Sequence, residues 1–219
     1  MEHLILVKIL PSLLAADLMH LGQEIDKLSV AGANLLHLDI MDQHYVPNIS
    51  FGVDLCTAIH QYNPNIPIDV HLMVDQVDAS IQQFAQAGAI RITIHHDATL
   101  HLDRSLMLIK NLNCQAGLAL NPATSPEIIH YCMHRLDFIL IMTVNPGFSG
   151  QDFIPEMLDK IHFVHQNYPS LPICVDGGIN INNIASLANA GATQFILGAG
   201  LFNTEDYANT IKTMLDAIK

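Results

Sequence analysis

Apolar residues along this chain fall into two alternating textures. Short, nearly continuous apolar runs occupy 4–10, 34–41, 67–74, 90–96, 114–120, 138–144, 172–176 and 193–198. Between them, 17–31, 53–62, 77–88, 101–111, 125–132, 155–167, 180–190 and 204–218 carry apolar residues at helical spacing, with polar residues on the opposite face. A strand covered on both faces reads as a continuous run, and a surface helix as a stripe. Strict alternation predicts a parallel sheet with right-handed crossovers. Eight such units in 219 residues predict an α/β fold, a (β/α)8 TIM barrel forming one domain over 1–219, with a doubly wound open sheet as the alternative. No linker or shift of composition marks a second domain.

The tripeptide AGA recurs at 31–33, 87–89 and 190–192, each time between a helical stretch and an apolar run. Its glycine is expected to close the helix in the left-handed conformation. Half of the residues are hydrophobic and 14% are charged, which excludes wholesale disorder. The net charge of −12, with nine Lys and Arg, argues against nucleic acid as a partner. An anionic ligand would have to be held locally, by backbone N–H groups or a metal. The cysteines at 56, 114, 132 and 174 form no CxxC pair, as expected of free thiols in a reducing cytoplasm. The start, MEHLILVKILPSLL, lacks the basic opening of a signal peptide and is too short to span a membrane.

Polar residues gather at or just past the C-terminal halves of the predicted strands: Ser12, His37, Asp39, His71, His95, Asp97, Asn121, Asn145 and Asp176. In a barrel that end carries the chemistry. In HLDIMD, residues 37–42, alternation puts His37, Asp39 and Met41 on one face of strand two. His71 in DVHLM and Asp176 in CVDGG would join them at the mouth. Each alone could be a satisfied core group. Together they suit a divalent cation, because burying two unpaired carboxylates would cost several kcal/mol. Nitrogen and oxygen donors without thiolate fit Zn, Fe(II), Mn or Co and do not select among them. Asp69 shares a face with His71 and could orient it, or be structural. His95 and Asp97 could back the site or simply mark a strand end.

Met41, Met73 and Met142 follow polar residues at three strand ends. They read as core filler or as an apolar floor under a planar intermediate. VNPGFSGQ (144–151), DGGIN (176–180) and GAG (198–200) are glycine-rich loops at the ends of strands six, seven and eight. Such loops present backbone N–H groups to an anion, although each alone is also an ordinary turn. His3, His20, His60, His130, His134, His162 and His165 lie in helical or terminal stretches and are read as solvated.

The ordered segments KILPSLLAADL, HLDIMDQHYVPN, DVHLMV, ITIHHD, GLALNPAT, MTVNPGFSGQ, VDGGI and GAGLF resemble the ribulose-phosphate 3-epimerase family over essentially the whole chain. The resemblance implies a ribulose-phosphate-binding barrel with one divalent metal ion, Zn or Fe(II) favoured, held by His37, Asp39, His71 and Asp176. It implies that Asp39 and Asp176 are the acid/base pair. It also implies substrate contacts from Ser12, His71 and Asp176 and from the methionines Met41, Met73 and Met142. The phosphate loops it implies are Gly147, Phe148, Ser149 and Gly150, then Gly177 and Gly178, then Gly198 and Ala199. A phosphorylated ketose as substrate, a cytoplasmic homo-oligomer and a place in pentose phosphate metabolism complete the expectation. Three positions depart from the family: Gln43 where Gly or Asn is usual, Asp97 where Glu is usual, and Ala199 where a Ser is common. The last removes roughly one hydrogen bond to phosphate.

Inverting a carbon beside a ketone needs one proton removed and one returned from the opposite face. Carboxylates on strands two and seven, across the mouth from each other, would serve as the two bases. An allulose-6-phosphate epimerase would use the same apparatus. The decarboxylases and aldolases of this superfamily use DxKxxD on strand three. Here DVHLMV has His71 for the lysine and Val74 for the second aspartate. A non-catalytic sugar-phosphate-binding protein would not need both carboxylates.

Overall fold

The computed structural model describes residues 7–33 and 35–219. Among these, eight strands form one parallel sheet: β1 (Lys8–Pro11), β2 (Leu36–Met41), β3 (Ile68–Met73), β4 (Ala89–His95), β5 (Gln115–Leu120), β6 (Phe138–Met142), β7 (Ile173–Asp176) and β8 (Gln194–Leu197). The order β1-β8-β7-β6-β5-β4-β3-β2 is that of a barrel. The seam is drawn together by a parallel bridge from Ser12, just past β1, to His37 of β2. The first predicted strand runs to Pro11 rather than 10. Residues 4–6 of that prediction, and residue 34 of the second, lie outside the described residues.

Helices alternate with the strands: α1 (Leu21–Val30), α2 (Val53–Tyr62), α3 (Val77–Gln86), α4 (Leu102–Asn111), α5 (Ile129–Cys132), α6 (Met157–Asn167), α7 (Ile184–Ala190), α8 (Ala199–Phe202) and α9 (Tyr207–Asp216). None is long and apolar enough to cross a membrane. Several predicted helices start late for local reasons. Asn180 and Asn183 spend their side chains on the preceding loop, so α7 begins at Ile184 instead of 180. Asp206 caps α9 by accepting from the Asn209 N–H, which sets its start at Tyr207. The predicted helix 125–132 divides into a 3-10 turn, Pro126–Ile128, and one α turn, Ile129–Cys132. The glycines of the three AGA motifs do adopt positive φ, 83° at Gly32, 103° at Gly88 and 118° at Gly191.

Two cores result. The larger lies between the sheet and the helices, and takes Leu36, Leu38, Val70, Leu72, Ile92, Ile94, Ile139, Ile141 and the inward faces of the helices. The barrel interior is divided. One side is apolar, with Leu10, Phe138, Leu140, Cys174 and Ile196. The other side, on β2, β3 and β4, buries His37, Asp39, Asp69, His71, Arg91, Thr93 and His95. Burying so many polar groups is tolerable only if they satisfy one another. All four cysteines are free and buried.

Candidate active site

Strand register sets the heights of the polar side chains. His37 lies beside Asp69, Asp39 beside His71, and Met41 beside Met73 across β2 and β3. Met142 lies beside Asp176 across β6 and β7. His37, Asp39, His71 and Asp176 each offer a ligand atom, and these atoms lie within 4.8 Å of one another. Strands β1 and β8 stand between β2 and β7, so the two carboxylates are three strand positions apart rather than diametrically opposed.

Asp39 is the hub. Its Oδ2 accepts from the Ser12 hydroxyl at 2.6 Å, and its Oδ1 faces His37 Nε2 at 3.2 Å and His71 Nδ1 at 3.3 Å. Burial alone would raise its pKa. The flanking His37 and His71 outweigh burial and hold the carboxyl far below its ordinary range. Burial likewise works against a charge on His37, but Asp39 and Asp69 overcome it and raise His37 well above the usual histidine value. His71 is lowered by burial.

Asp176 behaves oppositely. Burial, then the neighbouring negative charge of Asp39, push its carboxyl up to about 7. Its backbone is fixed by Thr143, whose N–H donates to the Asp176 carbonyl at 2.7 Å and whose hydroxyl meets the same carbonyl at 2.9 Å. Thr143 is fully buried, and the sequence reading missed it because nothing distinguishes it from core. Two acidic groups with oppositely shifted pKa values therefore sit in one cluster, with no lysine or arginine among its four residues. The donor set and its spacing fit a divalent cation and leave its identity open.

Above this cluster is a cleft with a cavity volume of about 70 Å³, open to solvent at its mouth. Ser12, Asp39, Asp176 and the methionines Met41, Met73 and Met142 line its base. Gly147, Phe148, Ser149 and Gly150 line one wall, and Gly177, Gly178, Gly198 and Ala199 another. His71, read from the resemblance as a substrate contact too, is fully buried and does not line the cleft. Positive φ at Gly147 (125°), Gly150 (78°), Gly177 (120°) and Gly178 (65°) shapes these loops. Gln151 pins the first of them, its Nε2 donating to the Asn145 carbonyl at 2.6 Å and the Phe148 carbonyl at 2.9 Å. Pro146, Gln151 and Gly200 also line the cleft; they lay inside or beside the glycine-rich motifs but were not singled out. The GAG loop opens α8, a single turn too short for hydrophobic periodicity to reveal.

One expectation about neighbours changes. Asp69 does not orient His71. Its Oδ2 accepts from His37 Nδ1 at 2.7 Å, because the β2–β3 register sets it beside His37. His71 instead meets His95, Nε2 to Nε2 at 2.8 Å. Asp97 lies beyond β4 in a 3-10 turn and accepts from the Tyr45 hydroxyl at 2.9 Å.

A (β/α)8 barrel that gathers two histidines and two carboxylates beneath glycine-rich loops is an enzyme scaffold with a candidate cation centre at its C-terminal mouth. The profile of the ribulose-phosphate 3-epimerase family matches residues 8–202. The chain belongs to the ribulose-phosphate 3-epimerase family. The ribulose-phosphate 3-epimerase of Buchnera aphidicola subsp. Acyrthosiphon pisum is 48% identical over 206 residues, covering 92% of this chain and 90% of that protein. The one from Escherichia coli K12 is 46% identical over 210 residues, covering 94% and 93%. The solved 3-hexulose-6-phosphate synthase of Salmonella typhimurium shares the fold, with a TM-score of 0.76 at 17% identity over 96% of this chain and 98% of that one.

Proposed function

We propose that this protein interconverts D-ribulose 5-phosphate and D-xylulose 5-phosphate by proton transfer at C3, with Asp39 and Asp176 as the two bases. The observation that carries this reading is the pair of carboxyls, Asp39 and Asp176, lining one cleft, with surroundings that shift their pKa values in opposite directions. A one-base enzyme or a binding protein has no use for that split.

His37, Asp39, His71 and Asp176 are the residues that would hold the cation. When bound, a divalent ion there offsets the negative charge that develops on the substrate's ketone and hydroxyl oxygens. Ionised Asp39 accepts the C3 proton, and the electron pair moves into the C2 carbonyl to give an enediolate. Protonated Asp176 returns a proton to C3 from the other face. Asp39 then carries the proton and Asp176 is ionised, which is the state that serves the reverse substrate. The Ser12 hydroxyl holds the Asp39 carboxylate in one orientation. Met41, Met73 and Met142 give the planar intermediate an apolar wall.

The phosphate is taken by backbone N–H groups of Gly147–Gly150, Gly177–Gly178 and Gly198–Ala199, in keeping with the absence of Lys or Arg from the cleft lining. Ala199 contributes no hydroxyl. Ser149 supplies one close by: a Cβ added at Gly198 would lie 3.4 Å from its Oγ.

The test is NMR in deuterated water with ribulose 5-phosphate. Deuterium should enter at C3 as xylulose 5-phosphate appears, and Asp39→Asn should nearly abolish both. Exchange with allulose 6-phosphate in preference would reassign the substrate, and exchange with neither would leave a binding protein.

A further inference from the structure

The two candidate histidine ligands turn different ring nitrogens toward Asp39, Nε2 of His37 and Nδ1 of His71. They are also held from behind by different groups. His71 leans on the imidazole of His95, whereas His37 Nδ1 meets a carboxylate, Asp69 Oδ2, at 2.7 Å. Asp69 is 1% exposed. Its other oxygen faces the Arg91 guanidinium, with Nε at 3.2 Å.

Arg91 is itself fixed. One terminal nitrogen donates to Gln194 Oε1 at 2.8 Å, and the guanidinium carbon lies 3.8 Å from the centre of the Phe138 ring. Gly117 makes room for this stack. A Cβ there would come within 2.4 Å of the Phe138 ring and 2.6 Å of Thr93 Oγ1.

We propose that Asp69, charge-paired with Arg91, is a positioning residue for His37: it keeps the proton on Nδ1 and so leaves Nε2 as the atom offered to the cation. A carboxylate behind a ligating imidazole fixes its tautomer and ring plane and makes it a better donor. The competing account is that Asp69 only neutralises a buried arginine. The geometry favours the first. The Arg91 contact lies off the hydrogen-bonding direction, leaving Asp69 Oδ1 and Arg91 Nε without a hydrogen bond. The well-formed bond of Asp69 goes to His37.

This inference rests on the cation reading above, and Zn(II) affinity, measured by competition with a chromophoric chelator, tests the two separately. Asp69→Asn should weaken Zn(II) binding about 10- to 100-fold. The double variant Asp69→Asn/Arg91→Met removes both buried charges. It should regain thermal stability lost in the single variant without regaining Zn(II) affinity. Recovery of affinity in the double variant would make Asp69 a charge-balancing residue and overturn the proposal. Unchanged affinity in Asp69→Asn, with tight binding by the wild type, would overturn this proposal alone. No Zn(II) binding by the wild type would overturn the cation reading along with it. Should the variants not fold, NMR of ¹⁵N-histidine in the Zn(II)-loaded wild type decides. His37 protonated at Nδ1 and metallated at Nε2 supports the proposal, and metal on Nδ1 refutes it.

Discussion

Asp176→Asn should cut turnover sharply and yet stabilise the metal-free fold at alkaline pH. The Asp176 carboxyl is raised from 3.8 to about 7 by burial and by Asp39. A group whose folded pKa is raised contributes its full share of stability below the unfolded value. That share is lost as pH rises through the folded value, where the folded state must carry an ion it disfavours. At about 1.4 kcal/mol per unit, the gap sets a ceiling of about 4 kcal/mol above pH 7. Asparagine has nearly the shape of the protonated acid and cannot ionise. In chelator-stripped protein the variant should match the wild type near pH 4. It should exceed it by about 2–4 kcal/mol at pH 8. Urea unfolding with an unchanged slope measures the difference. In the metal-loaded enzyme, turnover should fall by about 10²–10⁴, the usual worth of a positioned acid or base. A variant less stable than wild type at pH 8, or a stability difference independent of pH, would refute the electrostatic account of this residue.

Gly177→Ala should destabilise the protein by about 2–4 kcal/mol, since strain at positive φ adds to crowding; φ is 120° there, and the new Cβ would lie 2.4 Å from Val144 Cγ2. A melting temperature unchanged by circular dichroism would contradict this. Gln43 sits exposed at φ 63°, a conformation that suits Gly or Asn better than a longer side chain. Gln43→Gly should stabilise by up to about 1 kcal/mol, the relief of strain being partly offset by glycine's freer unfolded chain; a lower urea midpoint would show that the side chain contributes more than the strain costs.

Much of the architecture is legible along the chain because buried parallel strands and amphipathic helices differ in period. That difference survives in a single sequence. The AGA glycines announced the helix ends for the same local reason, since only glycine takes φ near 100° without strain. The positions of His37, Asp39, His71 and Asp176 followed from alternation plus the rule that barrels work at the strand C-termini. Their assembly into one cluster is a matter of tertiary structure.

What the sequence left open is everything set by register between strands. Alternation says which face Asp69 uses but not which neighbour it meets. The β2–β3 pairing decided for His37 over His71. The same holds for His95 behind His71, for Thr143 beneath Asp176, and for the Arg91 stack on Phe138. Local chemistry determined the elements and the residues they carry to the mouth. Only the closed barrel, which fixes each strand's height against the next, decided the partners and with them the opposite pKa shifts of Asp39 and Asp176.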